Sequence, residues 1–296
     1  MLDYAAARAV ALIVQTGSFE GAAHRLGVTP SAISQRVRHL EERLGTVLIQ
    51  RGTPCLATAQ GDWLCRHMEK LGMLEAELMQ HLPALADGTS LPVSVHIAVN
   101  ADSLGAWFLQ AMAAFGQQNN TLLDIALDDQ DHTSDWLRRG QVSAAVTADA
   151  RAVQGCHIQF LGKMRYRATA SPAYVARYFA DGITPEALMR APALRFNRKD
   201  MLQQQWAKQV FDAAPQLPTH WLPAVQGFVD AARLGIGWGM NPEVLIADDL
   251  ASGRLVELVP QTPLDVPLYW QVSRLAMDGL AGLTRQIRAA AAEALI

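Results

Sequence analysis

The chain has 296 residues, more than a single hydrophobic core usually organises, so two or three domains are expected. Half of the residues are hydrophobic and 18% are charged, a composition that allows ordinary globular cores and argues against long disordered regions. The net charge of -3 is unevenly divided, since residues 1–66 carry +2 and residues 67–296 carry -5. This asymmetry weakly favours a polyanionic partner for the N-terminal part.

The cysteines and the apolar runs indicate the compartment. Cys55, Cys65 and Cys156 form no CxxC pair, which argues against a metal site and indicates free thiols in a reducing compartment. No apolar run is long enough to span a bilayer, and the N-terminus lacks the features of a secretion signal. A soluble cytoplasmic protein without a cofactor is therefore expected.

The N-terminal residues predict a helix-turn-helix. A first helix is expected over Tyr4–Val14. Ser18 is suited to cap a second helix that ends at Gly27, and Thr29 is suited to cap a third helix with Pro30 in its first turn. Two short helices joined by a glycine turn have the geometry of this DNA-binding motif.

The third helix predicts a DNA-contacting face. Ile33, Val37, Leu40 and Leu44 recur at helical spacing and are expected in the core. The opposite face carries hydroxyls, an amide and guanidinium groups, which reach base edges and phosphates; a merely solvated face is the alternative, and DNA contact is favoured. The predicted contacts are Thr29, Pro30, Ser31, Ser34, Gln35, Arg36, Arg38 and, in the wing that follows, Arg51.

A wing and a long helix follow. Two short β-like runs separated by Gly52 and Pro54 are typical of a wing that lays Arg51 along a phosphate backbone. Residues 61–82 then predict one helix with a leucine-rich stripe, and a second copy of the chain is the expected partner for that stripe. DNA-binding proteins with a helix-turn-helix use such a dimer to contact two half-sites of the operator.

Residues 92–296 alternate strand-like and helical patterns, as a parallel α/β architecture requires. The strands VSVHIAV, LLDIAL and VSAAVT form a first set, and CHIQFLG, MRYRATA, PALRF, LGIGWGM and LVELV form a second. Two α/β subdomains with a ligand cleft at their strand ends are expected. No GxSxG, HExxH or Walker A motif is present, and Gly235, Gly237 and Gly239 suggest a turn or close packing, so no enzymatic activity is predicted.

The strand ends carry the candidate ligand residues. Asn100, Asp102 and Ser103 follow the first strand, and Asp128, Asp129 and Asp131 follow the second. Such an acidic cleft suits a basic amino acid, whose carboxylate could be held at the helix N-terminus beside Ser103. The alternatives are that Asp102 or Ser103 caps a helix, and that the second group forms a solvated turn and cap.

Loops of the second subdomain supply further candidates. Asn197 and Gln226 are plausible lining groups, and Arg195 or Arg198 could supply a counter-charge to a carboxylate.

The N-terminal motifs resemble the LysR-type transcriptional regulators. The pattern S-F-x-x-A-A-x-x-L, then S-x-I-S-x-x-V-x-x-L-E-x-x-L-G, a wing arginine and T-x-x-G carries the likeness. The matching residues are Ser18, Phe19, Ala22, Ala23, Leu26, Ser31, Ile33, Ser34, Val37, Leu40, Glu41, Leu44, Gly45, Arg51, Thr58 and Gly61. The usual L-F-x-R of the wing is here Leu48-Ile49-Gln50-Arg51.

This resemblance implies a domain order. An all-α winged helix-turn-helix is expected over 1–60, a linker and dimerisation helix over 61–90, and an α/β effector domain over 91–296. The effector domain is expected to consist of two Rossmann-like subdomains, as in periplasmic binding proteins, with subdomain I at about 91–160 and 266–296 and subdomain II at about 161–265.

The body is similar to one branch of that family, the arginine- and lysine-responsive ArgP/LysG regulators, which are also described as inhibitors of chromosome initiation. The segments AVNADSLGAW, WLRRGQVSAAV and SPAYVARYF carry this likeness. It implies a lysine or arginine effector, a family hydroxyl at Ser103, double-stranded promoter DNA as partner, a homodimer or tetramer, and control of amino-acid export or metabolism. Another small effector, or a ligand-independent role in replication control, remain as alternatives.

Overall fold

The computed structural model describes residues 2–82, 93–117, 121–128 and 132–296. The chain divides into two compact units, Met1–Ser94 and Val95–Ile296.

The first unit begins with the predicted helix-turn-helix. Helix α1 spans Tyr4–Thr16, α2 spans Phe19–Leu26 and α3 spans Pro30–Leu44. The Ser18 hydroxyl accepts a hydrogen bond from the Gly21 N–H at 2.9 Å, and Gly27 ends α2 in the left-handed conformation at φ 64°. The Thr29 hydroxyl accepts from the Ala32 N–H at 3.3 Å. The predicted caps are therefore confirmed.

The core of this unit is formed by the inward faces of the three helices. Ile33, Val37 and Leu40 are buried among residues such as Val10 and Ile13. The prediction for Leu44 was wrong, since its side chain is 47% exposed. Leu44 is the last residue of α3, where the helix ends at Gly45 before another helical turn can cover it.

The wing consists of two short antiparallel strands, β1 at Ile49–Gln50 and β2 at Leu56–Ala57. The Glu41 carboxylate accepts from the Leu48 N–H at 2.7 Å and from the Ile49 N–H at 3.2 Å. This acid of α3 is thus turned to the wing, where its hydrogen bonds position the start of β1.

The long helix α4 spans Ala59–His81 and is capped by Thr58, whose hydroxyl accepts from the Gly61 N–H at 3.1 Å. The Thr58 hydroxyl in turn donates to the Val47 carbonyl at 2.7 Å. A Cβ added at Gly61 would lie 2.0 Å from the Leu48 carbonyl oxygen. The T-x-x-G motif therefore joins α4 to the wing by a cap and a close backbone approach.

Gly61→Ala is expected to destabilise the first unit, because the new methyl meets backbone rather than a movable side chain. The expected loss in free energy of unfolding is about 1–3 kcal/mol, measured by chemical denaturation. Gly72→Ala is the matched control on the same helix, since its nearest neighbour would be a Val93 methyl at 3.5 Å. The control should keep or slightly raise stability by helix propensity, and equal losses for both variants would contradict the assignment.

The second unit contains nine strands and the remaining helices of the described residues. The strands are β3 Val93–Asn100, whose first two residues belong to the first unit, β4 Thr121–Asp128, β5 Ala144–Thr147, β6 Cys156–Ala170, β7 Ala193–Arg195, β8 Thr219–Trp221, β9 Gly239–Pro242, β10 Val256–Glu257 and β11 Leu264–Ser273.

The helices of this unit cover the strands. They are α5 Ala101–Ser103, which continues through a π-helical turn at Leu104–Phe108 into α6 Leu109–Gly116, then α7 Thr133–Arg138, α8 Pro172–Tyr178, α9 Pro185–Leu188, α10 Leu202–Phe211, α11 Val225–Arg233, α12 Glu243–Ser252 and α13 Ala281–Ala294. A short 3-10 helix at Arg274–Ala276 precedes α13.

The main sheet has the strand order β10-β6-β11-β5-β3-β4, and β9 also pairs with β6. Strands β3 and β5 are parallel as predicted, whereas β11 is antiparallel to both β5 and β6. The sheet is therefore mixed rather than parallel. A separate parallel pair, β7 and β8, lies next to Trp238.

One prediction of separate strands was wrong. CHIQFLG and MRYRATA form the single 15-residue strand β6. Gly162 within it has φ 138°, and the pairing register with β11 shifts at Leu268/Tyr269, beside this glycine. The glycine suggested an end of strand, but it marks a bulge inside a continuous one. The expected subdomain boundary near residue 160 lies within this strand.

The alternating glycines serve packing and a turn, as predicted. Gly235 follows α11 in the left-handed conformation at φ 72°. A Cβ at Gly239 would lie 2.5 Å from the Phe228 ring, and one at Gly237 would lie 2.9 Å from the Pro192 carbonyl oxygen. The turn and these close contacts account for the three glycine positions.

Among the helices of the described ranges, none combines the length and the apolar character needed to cross a membrane.

Candidate functional site

The predicted DNA-contacting face of α3 is open. Ser31, Gln35, Arg36 and Arg38 are exposed and Ser34 is half-buried, while the buried residues of α3 lie on the other side. Within the described ranges, the side chains of Gln35 and Arg36 make no hydrogen bond to another protein group. Their donors and acceptors are thus available to a nucleic acid.

The remaining DNA candidates have local partners. Thr29 and Pro30 are exposed at the start of α3, and the Thr29 and Ser31 hydroxyl oxygens are 3.0 Å apart. The Arg38 Nε donates to Glu42 at 2.8 Å, and this exposed pair raises the pKa of Arg38. The Arg51 guanidinium lies 4.9 Å from the centre of the Phe19 ring, which orients it at the wing.

Three carboxylates meet around one cavity in the second unit. Asp102 from the start of the helical segment after β3, Asp128 from the end of β4 and Asp200 from the loop after β7 all line it. The other lining residues are apolar and comprise Ala101, Phe196, Leu202, Val225, Phe228 and Met240. Residues separated by up to about 140 positions in sequence thus form one acidic, partly apolar cavity.

Asp102 is not a helix cap, so the capping alternative for it was wrong. The cap position is Asn100, which makes no side-chain capping bond, and both Asp102 and Ser103 lie inside the first helical turn. The Asp102 carboxylate instead accepts a hydrogen bond from the Tyr166 hydroxyl of β6 at 2.8 Å. This neutral donor orients the carboxylate at the cavity.

Asp128 is held from two sides. One carboxylate oxygen accepts from the Trp136 indole N–H at 3.1 Å, and the other pairs with the Lys199 ammonium at 3.0 Å. His132, not Asp128, precedes α7 at its cap position. Asp129 and Asp131 lie outside the described residues.

The loop after β7 is organised by its own side chains. The Asp200 carboxylate accepts from the Phe196 N–H at 2.9 Å and from the Leu202 N–H at 3.0 Å. The Asn197 side-chain oxygen accepts from the N–H groups of Lys199 and Asp200 at 2.7 and 3.1 Å. Asp200 therefore contributes charge to the cavity, while Asn197 shapes the backbone of its wall.

Gln226 stands in the first turn of α11, and its amide donates to Asp230 at 3.4 Å. Its neighbour Val225, not Gln226, lines the cavity, and Asn197 is likewise absent from the lining.

Two buried polar side chains beside Asp102 lack partners. Asn100 is 1% exposed, and neither its amide nitrogen nor its oxygen has a hydrogen-bond partner within the described ranges. The Ser103 hydroxyl is completely buried and equally unpaired there. Unsatisfied buried polar atoms are rare in proteins, and a bound water or ion is one of the explanations for them.

The two arginines of the β7 region stack on one indole. The Arg195 and Arg198 guanidinium carbons lie 5.1 and 5.2 Å from the centre of the Trp221 ring. Burial lowers the pKa of Arg195, and the nearby Asp200 charge opposes that shift. Neither arginine lines the cavity. The structure therefore places the two residues that were expected to pair with a ligand carboxylate against Trp221 instead.

The sequence did not predict a role for four residues that contact Asp102 or Asp128 or line the cavity. These are Trp136, Tyr166, Lys199 and Asp200. Lys199 and Asp200 directly follow the highlighted residues 195–198, so their charge was a visible signal. Tyr166 and Trp136 gave no signal, because their hydrogen bonds to Asp102 and Asp128 depend on tertiary packing.

Among the residues that the structure describes, no cysteine lines the acidic cavity of the second unit. The three cysteines are free thiols, and burial raises the pKa of Cys65 to about 12, which disfavours its reactive thiolate. No cluster suited to a metal ion occurs in the described part of the chain.

Comparison with known proteins assigns the two units. Residues 5–62 match the model of the bacterial regulatory helix-turn-helix protein of the lysR family, and residues 92–292 match the LysR substrate binding domain. The chain belongs to the LysR family. It is a DNA-binding transcriptional regulator of the LysG and ArgP type, with a winged helix-turn-helix followed by a periplasmic-binding-protein-like α/β domain.

This LysR-family regulator has similar relatives along its whole length. LysG of Mycobacterium bovis is 43% identical over 290 residues, covering 98% of this chain and 94% of the relative. The crystal structure of ArgP from Mycobacterium tuberculosis is 42% identical, with a TM-score of 0.76, and covers 100% of this chain and 99% of that one. Full-length LysG of Corynebacterium glutamicum with bound effector Arg is 36% identical, with a TM-score of 0.66 and 99% coverage of both chains.

Proposed function

We propose that this LysR-family regulator senses a basic amino acid, lysine or arginine, in the acidic cavity and acts as a regulator rather than as an enzyme. The observation that carries the proposal is the convergence of Asp102, Asp128 and Asp200 on one cavity. A cationic side chain is the complement of such carboxylates. The arginine bound to the similar LysG of Corynebacterium glutamicum supports the same ligand class.

The ligand backbone also finds chemical partners near the cavity. The buried Asn100 amide and Ser103 hydroxyl flank the lining residues Ala101 and Asp102 in sequence but do not themselves line the cavity, and once the cavity opens they would supply neutral donors and acceptors for the α-carboxylate and α-ammonium groups. A different small effector is the second candidate. An anionic effector is disfavoured because the three charged residues that line the cavity are acids.

A thermal-shift panel tests the effector class. Lysine and arginine should raise the melting temperature in proportion to the logarithm of their concentration. Norleucine and citrulline, which keep the shape but lose the side-chain charge, should have little effect. Equal shifts for charged and neutral amino acids, or none at all, would reject a basic amino acid as effector.

Asp102→Asn should weaken lysine and arginine binding about tenfold, because the cavity loses one negative charge while the amide oxygen can still accept from Tyr166. Since Asp102 is not a cap, the melting temperature should stay close to that of the wild type. Isothermal titration calorimetry measures the affinity. Tyr166→Phe keeps the charge and removes only the orienting donor, so its loss should be smaller; the reverse order would contradict the charge argument.

We further propose that α4 forms a homodimer, or a layer of a tetramer, that pairs two DNA-binding units on double-stranded promoter DNA. Leu74 and Leu78 are exposed on α4, and Leu82 is exposed directly after its end; such a stripe is suited to an identical partner helix. Leu74→Glu/Leu78→Glu should therefore yield smaller particles in light scattering, and an unchanged particle mass would refute this interface.

We propose control of amino-acid export or metabolism in the cytoplasm as the biological output. A ligand-independent role in replication control is the alternative. Transcript profiling with and without added lysine or arginine separates the two, since only the first predicts amino-acid-dependent changes.

A further inference from the structure

Lys199 does not itself line the cavity, but it forms an ion pair with a carboxylate that does. Its ammonium group is 3.0 Å from Asp128, one of the three carboxylates that line the cavity. The other oxygen of Asp128 is held by Trp136, so the carboxylate presents a fixed acceptor to any cation that reaches it. In the described state that cation belongs to the protein itself.

The cavity has no room for an amino acid in this state. It encloses about 20 Å³, the space of roughly one water molecule. Ligand sites for small molecules usually enclose about 300–1,000 Å³. Binding of lysine or arginine therefore requires that some group at the cavity moves.

The Lys199 side chain is able to move while its backbone stays in place. Its side chain is 49% exposed, and it carries the charge on a flexible four-carbon stem. The backbone N–H of Lys199 donates to the Asn197 side-chain oxygen at 2.7 Å. The Asp200 carboxylate accepts from the backbone N–H groups of Phe196 and Leu202, at the two ends of the same loop. These contacts leave the side chain as the mobile part.

We propose that Lys199 is an internal competitor of the effector: its ammonium occupies the cation position at Asp128 and is displaced by the side-chain cation of lysine or arginine. This inference rests on the proposed function. It assigns Asp128 to the effector side chain and gives Asn197 a positioning role, because Asn197 aims the loop that carries Lys199.

Competition by Lys199 also makes the site selective for cationic ligands. A basic amino acid exchanges one ion pair at Asp128 for another, whereas a neutral amino acid would separate Lys199 from Asp128 without replacing it. The half-exposed pair is a weak one, so a basic effector displaces it at small cost. Lys199 thus lowers effector affinity moderately and raises selectivity for cations.

Lys199→Met tests the proposal by calorimetry on the full-length protein, because methionine keeps much of the stem and removes the charge. Lysine and arginine should bind about two- to fivefold more tightly than to the wild type. Lys208→Met is the matched control, since Lys208 forms a comparable exposed ion pair with Asp212 at 2.6 Å. This variant should bind lysine and arginine with the wild-type affinity. Lys199→Arg should stay close to the wild type.

Two further readouts distinguish competition from a general structural effect. In an Asp128→Asn background, the gain from Lys199→Met should disappear, because the two residues act as a pair. Lysine binding should also depend more steeply on salt in Lys199→Met than in the wild type, because the variant forms a new ion pair instead of exchanging one.

The outcomes separate this inference from the proposed function. If wild type binds lysine and Lys199→Met binds it equally, competition is rejected and the effector assignment stands. Weaker binding by Lys199→Met would make Lys199 an effector contact and also overturn the proposal. If neither protein binds lysine or arginine, the proposed function itself fails, and the competitor role with it.

Discussion

Asp128→Asn is expected to reduce lysine and arginine affinity by roughly 30-fold, the equivalent of about 2 kcal/mol. The substitution keeps size and one acceptor oxygen, but it removes the charge that the effector cation would neutralise. Its contact with the Trp136 indole can persist through the amide oxygen. Calorimetry and the ligand-induced rise in melting temperature should report the same loss.

Asp212→Asn is the matched control for this variant. Asp212 also pairs with a lysine, Lys208, but it is exposed at the end of α10 and does not line the cavity. Its substitution should leave effector affinity at the wild-type value. Equal losses in both variants would indicate a general effect of protein charge, and no loss in Asp128→Asn would remove Asp128 from the site.

Ser34→Ala/Gln35→Ala is expected to weaken operator binding about 100-fold, because both side chains face outward from α3 and groove contacts of this type contribute about 1–3 kcal/mol each. Alanine favours the helix, so the DNA-binding unit should remain folded. The operator is first selected by the wild-type protein from a pool of random DNA sequences. Fluorescence anisotropy then measures the affinity of the variant for this operator and, for comparison, for random-sequence DNA.

The pattern across the two DNAs decides the roles of the residues. The double variant should lose operator affinity while keeping its affinity for random DNA, because base contacts carry the specificity. Arg51→Ala should weaken both to a similar degree and reduce the salt dependence, as expected for a phosphate contact. Equal losses on both DNAs for the double variant would place Ser34 and Gln35 on the backbone rather than on bases.

The DNA-binding unit was largely predictable because its signals are local. Caps at Ser18 and Thr29 and the glycine turn at Gly27 act over a few residues, so spacing alone located the helices. Leu44 was misplaced because the periodicity of α3 continues to its last residue, whereas burial there depends on what lies beyond the helix end.

Two of the three carboxylates that line the acidic cavity, Asp102 and Asp128, were predicted from the sequence. Asp102 and Asp128 follow strands of one sheet, and strand ends in α/β folds meet where ligands bind. Their actual hydrogen bonds to Tyr166 and Trp136 join residues 64 and 8 positions away, which no local pattern encodes. Strand β6 was divided wrongly because Gly162 resembles a turn, while its neighbours in the sheet keep it extended.

The sequence by itself determined the order of the two units, the helix-turn-helix with the polar outward face of α3, and the presence of carboxylates at two strand ends, because capping and periodicity are short-range effects. Only the tertiary structure decided that Asp102 orients against Tyr166 instead of capping a helix, that Asp200 joins the cavity and that Lys199 pairs with Asp128. These outcomes depend on long-range packing, which brings β4, β6 and the loop after β7 together and sets which charges meet.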